Sequence, residues 1–191
     1  ELISETRGVV ESVLFESGQQ VTSGQTLVQL NNSVEQALLA TAEASLGLAR
    51  LEFKRAEDLL KRQALAKSEF DRLAAELAKS QATVDQLKAV LAKKTIVAPF
   101  SGTIGIRKIN VGSYLSSNSP FGTLQDLSRL YLDFFLPEQN LPLLKTGQTV
   151  QVKVSAYPEE VFEAKIVALN PKVESSTRNV QVRAELSNPH G

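Results

Sequence analysis

The sequence contains no cysteine, methionine or tryptophan, and its single histidine is His190. Without cysteine the chain forms no disulfide and offers neither a thiolate metal ligand nor a thiol nucleophile. A lone histidine at the carboxyl end argues against a Ser-His-Asp triad and against a multi-histidine metal centre. The composition therefore predicts no bound metal and no cofactor.

Net charge and long apolar runs are also lacking. The 21 Lys and Arg residues balance 21 Asp and Glu residues, so the charge balance gives no reason to expect nucleic acid as a partner. No apolar run approaches the roughly 20 residues that cross a bilayer. Gly102 and Gly105 are too few for a phosphate-binding loop, and no Gly-Lys-Ser/Thr follows them. We therefore predict that the chain is not an enzyme.

The middle of the chain is a helical segment. Between Ser33 and Thr95 it contains one glycine, Gly47, no proline, and mostly good helix formers. Two apolar stripes with alternating steps of three and four residues indicate helices packed as a coiled coil. The first seam comprises Leu39, Ala42, Leu46, Ala49, Phe53, Ala56 and Leu60, and the second comprises Phe70, Leu73, Leu77, Ser80, Val84, Leu87 and Leu91.

A turn between the two stripes is predicted near residues 62–67. The same phase would place Gln63 and Lys67 on the seam, and both are polar. Ser68, followed by Asp71 three residues later, is expected to cap the second helix. The alternative is one continuous helix of about 60 residues, roughly 90 Å long.

The segments on either side of the helical region repeat each other with an offset of 94 residues. Gly8, Gly18, Val21 and Leu27 recur as Gly102, Gly112, Leu115 and Phe121. Asn118 stands where the first copy has Gly24, and asparagine is a good replacement for glycine at a positive φ.

One copy of such short strands cannot bury its apolar face, whereas two facing copies can. The chain must then leave at Leu30 and return at Ile96, which two antiparallel helices accomplish and one straight helix does not. We therefore predict a multi-module α+β fold in which a helical hairpin projects from a β-sandwich.

These features resemble a known family. The spacing Gly18-x-x-Val21-x-x-Gly24, the hairpin and the segment 98–105 resemble the split lipoyl domain of periplasmic adaptor proteins, also called membrane fusion proteins (the HlyD family). Residues 130–138, 147–152 and 162–167 are similar to the first strands of that family's β-barrel. The resemblance implies a lipoyl-like sandwich from residues 1–31 and 96–127, a hairpin at 32–95, and an incomplete antiparallel β-barrel at 128–191. Its predicted lipoyl turns contain Gly18, Gly24, Gly102 and Gly112.

Function and partners follow from this resemblance as expectations. Members of the family link an inner-membrane transporter to a TolC-like outer-membrane channel in tripartite efflux pumps. The short hairpin favours a transporter of the resistance-nodulation-division (RND) type. The resemblance also implies a homo-oligomer, a trimer or hexamer in the assembled pump. It places the protein in the periplasm, attached to the inner membrane through a segment absent from this chain.

The hairpin tip is the predicted docking site for the channel. In the family, a tip motif consists of Arg, then Leu four residues later, then Ser eleven residues after the Arg. Arg55 and Leu59 match it, whereas Ala66 stands at the Ser position and Ser68 is out of register. The predicted site comprises Arg55, Leu59, Leu65, Ala66 and Ser68. Leu38, Leu48, Leu51 and Leu59 lie off the main seam of the first helix, and such a second apolar edge is what lateral assembly of hairpins would require.

Other functions remain open at this stage. A lipoyl-like sandwich is also the fold of lipoyl and biotinyl carriers, but those carriers present a Lys where this chain has Asn31 and Asn32 before the hairpin. An adaptor of an ATP-driven exporter and a scaffold coiled coil are further alternatives. The lack of Met and Cys, which bind soft cations, favours drugs or small organic toxins over metals as the exported compounds.

Overall fold

The computed structural model describes residues 1–155, 157–174 and 178–188, and only the backbone of residues 172–174. His190 lies outside the described residues. The chain divides into two compact units, Glu1–Leu124 and Gln125–Gly191. The predicted fold class is confirmed: two long helices form a hairpin, and the remaining elements are antiparallel β-sheets.

The first unit consists of short strands that pair with one another and of two helices that stand between the fourth and fifth strands in the chain. Its strands are β1 (Leu2–Ile3), β2 (Gly8–Val13), β3 (Gln20–Val21), β4 (Thr26–Leu30), β5 (Thr95–Val97), β6 (Gly102–Ile104), β7 (Tyr114–Leu115), β8 (Pro120–Gly122) and β9 (Leu124–Gln125). The helices are α1 (Ser33–Lys61) and α2 (Lys67–Ala92). The turn between them spans residues 62–66, and the alternative of one continuous helix is wrong.

The two sequence copies pair reciprocally in the sandwich. Strand β2 of the first copy pairs with β7 of the second, with Gly8 opposite Leu115. Strand β3 of the first copy pairs with β6 of the second, with Val21 opposite Gly102. The second pairing is the first one shifted by 94 residues with the copies exchanged. Each half therefore completes the sheets of the other, and neither half has a closed hydrogen-bonding pattern by itself.

The core of the sandwich is duplicated in the same way. Buried Val10 has Ile104 as its equivalent, and buried Leu30 has Leu124. The aromatic residues of the core are not repeated at equivalent positions. Phe15 has Ile109 as its equivalent, and Phe121 has Leu27. Phe15 and Phe121 nevertheless meet, with ring centroids 6.4 Å apart.

Three of the four predicted lipoyl turn glycines have a left-handed backbone. Gly18, Gly24 and Gly112 have φ values of 83°, 80° and 83°, and Asn118 has the predicted positive φ, 64°. The expectation for Gly102 is wrong, since Gly102 begins strand β6 and does not have a positive φ. Its counterpart Gly8 likewise begins a strand, so the repeat conserves a strand start at this position rather than a turn.

The hairpin packs along the two predicted seams. Leu46, Ala49, Ala56 and Val84 are buried. Six other predicted seam residues are half-buried, as expected for a two-helix coiled coil with solvent on both sides: Leu39, Phe53, Leu60, Phe70, Leu77 and Leu91. Phe53 and Phe70 meet near the tip with ring centroids 5.2 Å apart.

The turn of the hairpin forms without glycine or proline. Gln63 takes the left-handed conformation, with φ 58°, and its N–H donates to the Leu60 carbonyl while the Ala64 N–H donates to the Leu59 carbonyl. This is the Schellman arrangement that ends many helices. The predicted cap at Ser68 is wrong, because Ala66 is the N-cap of α2 and Ser68 lies within the first helical turn.

The second unit is a four-stranded antiparallel sheet. Its strands are β10 (Arg129–Pro137), β11 (Thr149–Val154), β12 (Tyr157–Glu174) and β13 (Asn179–Ser187), and a 3₁₀ helix spans Glu138–Leu143. The strand order is β10-β13-β12-β11. Alternation along β13 buries Val180, Val182 and Ala184 on one face. On the other face Arg183 pairs with Asp133 at 2.7 Å.

Candidate docking site at the hairpin tip

A shallow groove of about 300 Å³ lies at the tip of the hairpin, between α1 and α2. It is lined by Glu52, Arg55, Ala56 and Leu59 of α1, Leu65 of the turn, and Glu69, Arg72 and Leu73 of α2. Arg55 and Leu59 are one helical turn apart and therefore share a face of α1. The turn folds Leu65 back against that face, which gives the groove an apolar end.

An ion pair forms the α2 wall of the groove. Arg72 donates from Nε to Glu69 Oε2 at 3.0 Å and from Nη2 to Glu69 Oε1 at 2.7 Å. These hydrogen bonds from Arg72 lower the pKa of Glu69 below its ordinary value. Glu69 is therefore ionised at neutral pH, and its two oxygens hold the Arg72 guanidinium in one orientation.

The structure brings three of the five predicted tip residues together. Arg55 is exposed, Leu59 is 43% exposed, and Leu65 is half-buried, and all three line the groove. Ala66 and Ser68 are exposed and are not among the lining residues.

Sequence reasoning missed three charged residues of the groove, Glu52, Glu69 and Arg72. The i, i+3 spacing of Glu69 and Arg72 is a sequence signal for an ion pair on a helix surface, but it was not used. It did not indicate which residues of α1 lie opposite them, because that depends on how the two helices are aligned.

The chemistry of the groove is that of a binding surface. Two guanidinium groups, from Arg55 and Arg72, border a floor made by Ala56, Leu59 and Leu73. Guanidinium groups donate hydrogen bonds to carboxylates or carbonyl oxygens, and exposed leucines contribute apolar contact. Within the described part of the chain, no three His, Cys, Asp or Glu side chains are clustered as a metal site would require.

Comparison with known families agrees with this architecture. Residues 1–125 match the barrel-sandwich hybrid domain of RND membrane fusion proteins, and residues 129–191 match a CusB-like β-barrel domain. The chain belongs to the RND membrane fusion protein family. The family predicted from the sequence is therefore confirmed.

Two curated relatives illustrate the match. An uncharacterized protein of Haemophilus influenzae is 38% identical over 183 residues, covering 96% of this chain and 48% of the relative. ArpA of Pseudomonas putida, an antibiotic efflux pump periplasmic linker protein, is 27% identical, covering 99% of this chain and 53% of the relative. The chain thus spans about half the length of the curated relatives it matches.

A solved structure shares the fold. A MacA–MexA chimeric protein containing the Pseudomonas aeruginosa MexA α-hairpin domain superposes with a TM-score of 0.85 at 23% identity, covering 98% of this chain and 69% of that chain. Among the described residues, no helix has both the length and the apolar character needed to cross a bilayer.

Proposed function

We propose that this chain is the adaptor part of a tripartite efflux pump. It links an inner-membrane transporter to a TolC-like outer-membrane channel, through which drugs or small toxic compounds leave the cell. The observation that carries the proposal is the tip groove, in which Arg55, Leu59 and Leu65 converge at the far end of a rigid hairpin. The family membership supports it, and so does the similarity to ArpA, an antibiotic efflux pump periplasmic linker protein.

The hairpin provides reach across an aqueous gap. Helix α1 has 29 residues, which corresponds to roughly 40 Å at 1.5 Å per residue. At its base an ion pair joins Glu35 of α1 to Lys94, which follows α2, and Lys94 also donates to the Arg7 carbonyl of the sandwich. Because the base of the hairpin is fixed, the position of the sandwich determines where the tip lies.

The tip groove is the docking site for the channel in this proposal. Arg55 donates hydrogen bonds to polar groups at the channel tip, and Leu59 and Leu65 contribute apolar contact. Ala66 and Ser68 belong to the docking surface as exposed residues beside the groove. The hydroxyl that the family has at position 66 is absent here.

The remaining assignments are parts of the same proposal. The transporter is of the RND type, several copies of the chain form a trimer or hexamer, and the site of action is the periplasm. The module boundaries proposed are 1–31 with 96–127, 32–95, and 128–191.

Charge reversal at Arg55 tests the docking site. Arg55→Asp is compared with Lys54→Asp, which changes the same charge at the neighbouring exposed residue that does not line the groove. We expect Arg55→Asp to abolish efflux and cross-linking to the channel, and Lys54→Asp to retain both. Both variants should unfold within about 0.5 kcal/mol of the wild type, because neither exposed side chain is part of the core. Equal loss of efflux in both variants would contradict a specific role for Arg55.

Photo-cross-linking from Leu65 in cells identifies the partner directly. Recovery of an outer-membrane channel supports the proposal, and recovery of an unrelated cytoskeletal protein instead favours a scaffold. The carrier alternative predicts a lipoyl or biotinyl mass increment after expression with the modifying ligase. Co-expression of the adaptor with an RND transporter or with an ATP-driven exporter decides between the two adaptor classes. Efflux restored with only one of the two transporters identifies the class.

A further inference from the structure

The tip groove has a polar wall that the docking motif does not account for. Arg55, Leu59 and Leu65 carry the proposed docking, and they belong to α1 and to the turn. The family pattern adds a hydroxyl just before α2, but Ala66 stands there and does not line the groove. The lining residue of α2 whose side chain carries hydrogen-bond donors is Arg72.

Arg72 is held in a fixed orientation by its neighbour on the helix. Its Nε and Nη2 atoms donate to the two carboxylate oxygens of Glu69, at 3.0 and 2.7 Å. Lys79 and Glu76 have the same i, i+3 spacing on α2, but their charged atoms are 3.7 Å apart, which is too far for a hydrogen bond. A loose exposed pair of that kind adds little to stability, whereas two parallel hydrogen bonds fix the plane of the Arg72 guanidinium.

The ion pair leaves most donors of Arg72 able to bind a partner. A guanidinium carries five N–H groups, and Glu69 accepts two of them. The other three make no hydrogen bond to any described residue, and the Arg72 side chain is 62% exposed. Within the hairpin, every residue of which the structure describes, Arg72 forms no ion pair with Glu52 on the opposite wall. No such bridge therefore closes the groove.

The charges that line the groove cancel. Glu52 and Glu69 balance Arg55 and Arg72, so the groove has no net charge that would attract a charged partner. Its floor is apolar, and its guanidinium donors are directional. The complementary surface is therefore an uncharged one, which presents acceptor oxygens such as carbonyl groups beside an apolar side chain.

We propose that Arg72 is a second docking residue of the hairpin tip, which donates hydrogen bonds to uncharged acceptor oxygens of the outer-membrane channel. Glu69 orients Arg72 for this contact and offsets its charge. Arg72 thereby supplies from α2 the polar contact that Ala66 lacks. This inference rests on the proposed function and deepens it, because it names a residue outside the tip motif and the chemistry of the surface that this residue binds.

Photo-cross-linking in cells tests the role of Arg72. The adaptor carries a photo-reactive residue at Ala64, which is exposed in the turn and does not line the groove. The yield of the product with the channel is then compared among variants. Arg72→Gln should lower this yield about tenfold or more, as expected when hydrogen bonds from a charged group are lost.

Lys79→Gln is the matched control for Arg72→Gln. It removes the cation of the Glu76–Lys79 pair, which has the same spacing on the same helix but lies outside the groove. The yield should stay at the wild-type level. Equal losses in Lys79→Gln and Arg72→Gln would mean that both pairs act through helix stability, and this would overturn the proposal.

Exchange of the two charged residues separates docking from helix stability. Glu69→Arg combined with Arg72→Glu retains an ion pair at the same spacing, so the unfolding temperature should stay close to that of the wild type. The guanidinium now projects from position 69, and the cross-linking yield should fall as it does in Arg72→Gln. A full yield from the exchanged variant would mean that the pair acts only on the helix, and the proposal would be wrong.

Arg72→Lys tests the chemistry of the contact. Lysine retains the positive charge but lacks the planar fork of donors, so the yield should again fall. A full yield would mean that only the charge at position 72 matters, as it would for an acidic partner, and this too would overturn the proposal.

Arg55→Asp in the same assay distinguishes this proposal from the docking function. A low yield for Arg55→Asp with a full yield for Arg72→Gln leaves the docking site in place and removes Arg72 from it. The reverse pattern retains Arg72 and contradicts the role of Arg55. Low yields for both variants support both proposals. If neither variant lowers the yield, or if the wild type gives no product with an outer-membrane channel, both proposals fail.

Discussion

The Nζ atom of Lys94, which follows α2, lies 2.9 Å from Oε1 of Glu35 in the first turn of α1. Lys94 also donates to the backbone carbonyl of Arg7 at 3.2 Å. One side chain therefore joins both helices of the hairpin to the sandwich. The pair is shielded, since the Lys94 side chain is 11% and that of Glu35 is 21% exposed. It fixes the base from which the stalk projects.

Replacing Glu35 by Gln should destabilise the chain by about 1–2 kcal/mol at neutral pH, as expected for loss of a hydrogen bond to a charged group. The hydrogen bond from Lys94 lowers the pKa of Glu35. The stabilisation that ionised Glu35 contributes is therefore fully present above the ordinary pKa of glutamate, near 4.3. It is lost as the pH falls through the lower pKa that Glu35 has in the folded state. Urea unfolding of the wild type and of Glu35→Gln, from pH 7 to acidic pH, measures the difference in their free energies of unfolding.

Glu43→Gln is the matched control for this pair. Glu43 lies 3.6 Å from Lys88, and both side chains are about half exposed, so its loss should cost well under about 1 kcal/mol. A Glu35→Gln effect as small as that, or one that persists unchanged in acid, would show that the shielded ion pair does not hold the base of the hairpin.

Ala66→Ser should stabilise the hairpin by about 1 kcal/mol. Ala66 is the N-cap of α2, has an extended backbone and makes no side-chain cap hydrogen bond. A serine hydroxyl there can accept from the N–H of Ser68, in the first turn of the helix, or from the N–H of Glu69, which donates to the Ala66 carbonyl at 3.1 Å. Thermal unfolding measures the gain, with Ala64→Ser in the same turn as the control. No difference between the two would remove the capping assignment.

The Phe53–Phe70 contact should contribute beyond the area that it buries. The rings meet at 5.2 Å with an interplanar angle of 38°, and such pairs contribute about 0.5–1.5 kcal/mol of coupling. A double-mutant cycle of Phe53→Leu and Phe70→Leu should recover that coupling in the free energy of unfolding. Phe53→Leu with Leu91→Ala, far along the seam, should be additive. Coupling of the same size in both cycles would indicate a general loosening of the hairpin.

Gly24→Asn should be tolerated, whereas Gly24→Val should cost about 1–2 kcal/mol or more. Gly24 has φ 80° with no neighbouring atoms in the space that a Cβ would fill, so the backbone angle alone sets the cost. Asn118 occupies the equivalent position with φ 64°, and the two N–H groups donate to Ala98 and Ser4 at 2.8 Å each. Chemical denaturation measures the free energy of unfolding of both variants. If Asn at position 24 destabilises the chain as much as Val does, the turns at Gly24 and Asn118 are not equivalent.

Sequence reasoning succeeded for features that depend on spacing. The 94-residue offset predicted paired half-domains, and the structure shows reciprocal pairings such as Gly8–Leu115 and Val21–Gly102. Heptad spacing predicted the seam, including buried Leu46 and Val84. The repeat did not predict Gly102 correctly. A glycine shared by both copies marks either a turn or a strand start, and only the backbone angles distinguish the two.

Periodicity and repetition along the chain by themselves determined the hairpin and the split sandwich, and the resemblance of these segments to a known family indicated the family. A pattern of apolar residues specifies which faces are buried, and burial of those faces dominates the free energy of folding. Only the tertiary structure decided how α1 and α2 are aligned. That alignment sets Arg55 beside the Glu69–Arg72 pair in the tip groove, since contacts between distant residues depend on packing that local sequence does not encode.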